Sequence, residues 1–176
     1  MGGGEQVTGT EQAANVLLEE LKWVHDLIRR DLRSCRQLAA DVAAGTSPAE
    51  VLEQIKELKM QGGLFLLRTN CIRHCRFVHS HHGHEDHLLF PAVRRTAPNL
   101  NEVVDKLEAD HRRVSDLLDA VEAIAVRLGS SGAPDERQHL VGALEELSAQ
   151  LLEHLAFEEE ALAPVLANWG MWPFYG

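Results

Sequence analysis

Apolar residues return at three- and four-residue steps along most of the chain, and no segment alternates convincingly, so the pattern predicts long amphipathic helices and no sheet. Leu18, Leu21, His25, Ile28 and Leu32 mark the first stripe, on a helix from about Glu11 to Ala44 that Gly45 ends. Ser47 and Pro48 form an N-cap and first-turn pair, opening a short helix to about Met60. A second long helix, Leu64 to Arg95, sets Leu67, Cys71, His74, Val78, His81, Glu85, Leu88 and Ala92 on one face, and Pro91 should kink or loosen it. After Ala97 and Pro98, with Asn99 or Asn101 as cap, a third helix carries Leu107, His111, Val114, Leu118, Val121 and Ile124. Residues Gly129 to Pro134 read as a loop, and a fourth helix from about Asp135 to Ala167 faces inward with Leu144, Leu147, Leu151, His154, Leu155, Glu158 and Leu162. The expected fold is all-α, an up-down-up-down four-helix bundle with a short extra helix between bundle helices one and two. Residues 1–10 read as a disordered leader, 11–168 as the bundle and 169–176 as an aromatic tail that folds over one end or into a partner.

The polar residues on these stripes repeat. His81, Glu85, Leu89 and Pro91 recur as His154, Glu158, Leu162 and Pro164, each displaced by 73 residues. Residues four apart share one helix face, which puts an imidazole and a carboxylate about 6 Å apart along the axis. A weaker repeat relates His25, Ile28 and Leu32 to His111, Val114 and Leu118. The chain therefore reads as two similar hairpins, each supplying one isolated histidine and one His-x-x-x-Glu, and pseudo-twofold packing would gather all six groups. Such groups are costly in an empty core, and a metal ion supplies the missing partner. Two carboxylates suffice to bridge a pair of divalent ions, with four imidazoles shared between them. Mixed nitrogen and oxygen ligation with open positions suits iron, while manganese or zinc fits the same groups.

Net charge changes the list of partners. A formal charge of -10 and a pI near 5.4 argue against nucleic acid and anionic membrane, which need a positive field. No apolar run approaches the ~20 residues that cross a bilayer, and the first ten residues lack the parts of a secretory signal, so a cytoplasmic location is the default expectation. Cys35, Cys71 and Cys75 are an odd count that does not suggest a disulfide framework. Cys71 and Cys75 with His74 between them permit a metal or redox reading, but small buried residues on a helix are the plainer one.

With His25, His81-x-x-x-Glu85 followed by Leu89-Phe90-Pro91, His111, and His154-x-x-x-Glu158 followed by Pro164, the sequence from about Glu11 to Ala167 resembles the hemerythrin-like, or HHE cation-binding, family. The stretch Asn70 to His79 also looks like a form common in actinobacterial members. The resemblance implies a non-haem di-iron centre in a four-helix bundle, with His25, His81, His111 and His154 as terminal ligands and Glu85 and Glu158 as bridges. In oxygen-carrying hemerythrins the third helix supplies a second histidine one turn after the first, and here Ser115 stands at that position. Losing that imidazole leaves a further open position, or one filled by water or an unusual ligand, which puts reversible carriage in doubt and favours reaction with dioxygen or peroxide.

Two readings of the cluster remain open. His82 and Asp86 also stand four apart, although alignment with His154 and Pro164 selects His81 and Glu85; His82, His84 and His87 are then expected to point away from the bundle axis. His74, two turns before His81, is a candidate for a supporting position behind the ligands, an additional ligand, a pocket base or a hydrogen-bonded core histidine. His139 reads as surface, and Glu159 and Glu160 as a solvated face unless one of them supports a ligand. The leading functional expectation is a di-iron protein that decomposes peroxide or oxidises a small molecule, without assurance that it is an enzyme. The alternative is a module that binds or senses oxygen, nitric oxide or iron without turnover. A structural zinc site ranks last, because six ligands are too many for one closed tetrahedral ion.

Overall fold

The computed structural model describes residues 8–45, 63–131 and 134–174. Helix α1 spans Thr8–Ala43, α2 Gly63–His84, α3 Phe90–Thr96, α4 Asn101–Ser131 and α5 Pro134–Leu166. A π-helical turn, Glu85–Leu89, joins α2 to α3, and a 3-10 turn, Pro98–Leu100, leads into α4. With α2, the π-turn and α3 taken as one column, α1 packs on α2 and α5, and α4 packs on the same two. Consecutive columns are thus neighbours, as an up-down-up-down four-helix bundle requires. No strand occurs among the described residues. The short helix expected over residues 47–60 lies outside the described residues, as does most of the leader, with α1 beginning at Thr8.

Gly45 ends the first helix by the expected route. Its φ of 79° is left-handed, a conformation that glycine takes without steric cost, and the amides of Ala44 and Gly45 cap the carbonyls of Ala40 and Val42 at 2.9 and 3.3 Å. The loop expected over Gly129 to Pro134 is mostly helix instead, because α4 runs through Ser131 and α5 opens on Pro134. Proline is at home in a first turn, where its missing amide hydrogen has no partner to lose. Glycine costs about 1 kcal/mol in a helix and serine less, too little to stop a long packed helix.

Pro91 reshapes the second column. It has no N–H to give the carbonyl of His87, and the chain answers upstream with the π-turn, where the Phe90 amide bonds Glu85 instead of the residue four back. The extra residue rotates the apolar stripe by one position. Leu88, expected inside, is 40% exposed, whereas Leu89 is buried.

Two apolar cores fill the bundle. One contains Ile28, Leu32, Val78, Val114, Leu118, Leu151 and Leu155, and the other Leu21, Leu89, Phe90, Val93, Leu107 and Leu162. Along every column the change from one core to the other falls at a histidine or glutamate of the repeat. Trp169 and Trp172 pack against the second core, and Trp172 donates from Nε1 to Glu20 at 2.6 Å, which lays the tail on α1. Tyr175 lies outside the described residues.

Candidate metal centre

A polar layer separates the two cores. It takes His25 from α1, His81 from α2, Glu85 from the π-turn, His111 from α4, and His154 and Glu158 from α5. All are buried except His81, which lies at the edge. His25 Nε2 lies 3.9 Å from Glu85 Oε1 and 3.5 Å from Glu158 Oε2. His81 Nε2 lies 3.1 Å from Glu85 Oε1, His111 Nε2 3.5 Å from Glu85 Oε2, and His154 Nε2 3.7 Å from Glu158 Oε2. The structure thus brings all six residues of the repeats to one place, with Glu85 between imidazoles of three helices.

Carboxylates behind the histidines fix several of these rings. His25 donates from Nδ1 to Glu159 at 2.7 Å, and Arg29 holds the same carboxylate at 2.8 Å. His111 donates from Nδ1 to Asp86 at 2.8 Å, and Asp110 lies 3.9 Å from His154 Nδ1. An outer carboxylate on one nitrogen settles the tautomer and leaves the other nitrogen's lone pair facing inward, the usual support of a metal-binding imidazole. Burial opposes ionisation of Glu159, but the hydrogen bonds from His25 and Arg29 prevail and lower its pKa.

The inner groups are poorly satisfied by one another. His25 Nε2, His81 Nε2 and both oxygens of Glu85 and Glu158 are buried without a hydrogen-bond partner among the described residues, their short approaches being misaligned for hydrogen bonding. Burial, reinforced by Glu158, drives the Glu85 carboxyl well above its ordinary range, and burial with Glu159 and Asp86 pushes Glu158 up to about 8. Burial pulls His81 down to about 3, His111 to about 2 and His154 to about 4, each helped by neighbouring histidines, and lowers His25 as well. Neutral imidazoles and strained carboxylates facing one another are the state that a cation relieves. Three overlapping groups have donor atoms within 4.8 Å of one another: His25, His81 and Glu85; Glu85, His111 and Glu158; and His82, His111 and His154. Donors about 2.1 Å from a common ion span a similar distance, so the residues present fit a metal. Glu85 belongs to two of the groups, as a bridging carboxylate would.

His82 was expected to point away from the axis, and the structure corrects this. It is buried, its ring stacked on His111 with centroids 3.9 Å apart and planes within 7°, and 5.1 Å from the ring of His154. Both registers of the ambiguous cluster therefore face the site: His81 with Glu85, and His82 with Asp86 one residue on. Phe90 stacks on the His111 ring at 5.1 Å, so residues 82, 86 and 90 of one column together grip one imidazole of α4. His84, His87 and His139 are exposed, as expected. Ser115 lies 3.5 Å from His79 at the rim of the bundle.

His74 is buried against the first core, and neither ring nitrogen finds a hydrogen-bond partner among the described residues. It joins none of the three donor groups. Cys35, Cys71 and Cys75 are free, buried and part of the same core, and burial pushes the Cys75 thiol up to about 12, which suits packing better than thiolate chemistry. Glu159 and Asp86 are the supporting residues that the sequence repeat does not single out.

No curated protein and no solved structure matches the chain significantly. The family model of the hemerythrin HHE cation-binding domain matches residues 16–166, a span that contains α2 to α5, most of α1 and every histidine and carboxylate of the polar layer. On that match the chain belongs to the hemerythrin HHE cation-binding domain family.

Proposed function

We propose that this protein is a non-haem di-iron protein that reacts with dioxygen or peroxide at a carboxylate-bridged centre, decomposing peroxide or oxidising a small molecule. The observation that carries the reading is the layer of four neutral imidazoles and two unpartnered carboxylates sealed between apolar cores. His25 and His81 would be terminal ligands of one ion, His111 and His154 of the other, and Glu85 and Glu158 would bridge. Iron held there supplies Lewis acidity and one-electron redox chemistry toward a small oxygen species. The chain's own contribution is orientation and exclusion. Glu159 and Asp86 aim the rings of His25 and His111, and the leucine layers on either side keep bulk water away, which strengthens every charge interaction inside.

No helix among the described residues is long and apolar enough to cross a membrane, and the net negative charge favours a small-molecule partner over nucleic acid. Manganese or zinc remains an alternative occupant of the same donors, and a cytoplasmic location is the setting proposed for iron chemistry.

Anaerobic loading with Fe(II), followed by exposure to hydrogen peroxide under an oxygen electrode, tests the reading. The expected result is oxygen evolution well above that of free iron, lost in Glu85→Ala. Reversible oxygen or nitric oxide binding without net consumption would instead support a binding or sensing module. Inertness of the iron-loaded protein toward all three would overturn both.

A further inference from the structure

We infer that His82 is a seventh metal ligand, supplied by α2 to the ion on the His111 and His154 side and standing in for the imidazole that α4 lacks at Ser115. This rests on the di-metal reading above and extends it to a residue outside the repeat.

Three observations carry it. The His82 side chain is 4% exposed, and its Nε2 is buried with no hydrogen-bond partner among the described residues, a costly state for an imidazole that could have faced water from the next helix position. Its donor atom lies within 4.8 Å of those of His111 and His154, and these three form a group separate from His25, His81 and Glu85. The third observation is the direction of divergence. Adjacent helical residues point about 100° apart, so His81 and His82 leave α2 toward different partners. The His81 ring faces His25 at 5.1 Å, while the His82 ring lies over His111 at 3.9 Å. One helix turn thereby serves both halves of the layer.

Counting donors gives the consequence. His82, His111 and His154 with two bridging carboxylates nearly fill one ion's coordination, whereas His25 and His81 with the same bridges leave the other ion open. Exchange of small ligands is then confined to the α1 side, next to His25, and the loss of the α4 histidine no longer implies a second open ion.

The test uses the full chain. Apo-protein is titrated anaerobically with Fe(II) and the bound metal counted, for the parent, His82→Phe, which retains a flat ring over His111, and His82→Ala with and without added imidazole. The parent should bind two ions per chain. His82→Phe should keep one ion at parental affinity and bind the second at least tenfold more weakly, with helical circular dichroism unchanged. Imidazole should restore the second ion to His82→Ala, which a purely packing role would not allow. Two ions bound by His82→Phe at parental affinity, or no restoration by imidazole, would overturn the assignment while leaving the di-metal reading intact. Only trace metal in the parent would overturn that reading itself, and this inference with it.

Discussion

Each inward imidazole that meets an outer carboxylate has lost the freedom to turn, and the strength of metal binding should follow from that constraint. Asp86, about a third exposed, accepts the Nδ1 proton of His111 at 2.8 Å. Asp86→Asn weakens that acceptor and allows the ring to swap tautomers, so metal affinity should fall about 10-fold or more with the helical content unchanged. Metal titration of the variant checks this, and parental affinity would refute it. His74 offers a test away from the ligands. Burial holds its pKa at about 4, below the ordinary 6.5. The unfolded chain therefore takes up a proton at this site that the fold refuses, and stability is lost as pH falls from 6.5 to 4. His74→Leu removes that loss, so the metal-free variant should gain about 2 kcal/mol over its parent on going from pH 7 to pH 5. Urea denaturation at both values measures the difference. The two His-x-x-x-Glu pairs of the layer were legible in the sequence because a 73-residue repeat fixed their register, and His25 and His111 because a weaker pattern, shared with Ile28 and Val114 and with Leu32 and Leu118, set them in the same phase. Asp86 and Glu159 were not, since they meet His111 and His25 across 25 and 134 residues of chain with no local period to announce them.

At the level of elements, the four columns follow from simple stepping rules, and the exception is local. All seven inward positions expected on α5, from Leu144 to Leu162, are buried. On the second column the same rule fails at Leu88, because it assumes 3.6 residues per turn and the π-turn inserts one more. Pro164 in α5 has no such effect, since it stands two residues from the helix end and the carbonyl it cannot bond belongs to exposed Glu160. The π-turn begins at Glu85 and contains Asp86, so the backbone defect positions two residues of the site. Pro91→Ala restores an amide hydrogen and lets the column relax toward regular α-helix. The metal-free variant should be more stable by about 1 kcal/mol, yet bind metal more weakly, because Glu85, Asp86 and Phe90 shift relative to α4. Denaturation and metal titration together check this trade, and a gain in both would contradict it.

The whole molecule is two apolar cores with a polar layer between them, and this arrangement explains how a cost of burial becomes a binding site. The cores can hold the columns together on their own, while the layer is the weak section until its carboxylates are neutralised. Chelation should therefore lower the melting temperature by several degrees while leaving far-ultraviolet circular dichroism at 25 °C nearly unchanged. Cooperative unfolding on chelation would instead indicate a metal that holds the fold together. The proposed function requires a pair of iron ions held by these histidines and carboxylates. Elemental analysis of protein produced with ample iron, comparing the parent with a His81→Ala, His154→Ala double variant, tests it most directly. Two irons per parental chain and a marked loss in the double variant are expected. Trace iron in the parent, or equal iron in both, would contradict it.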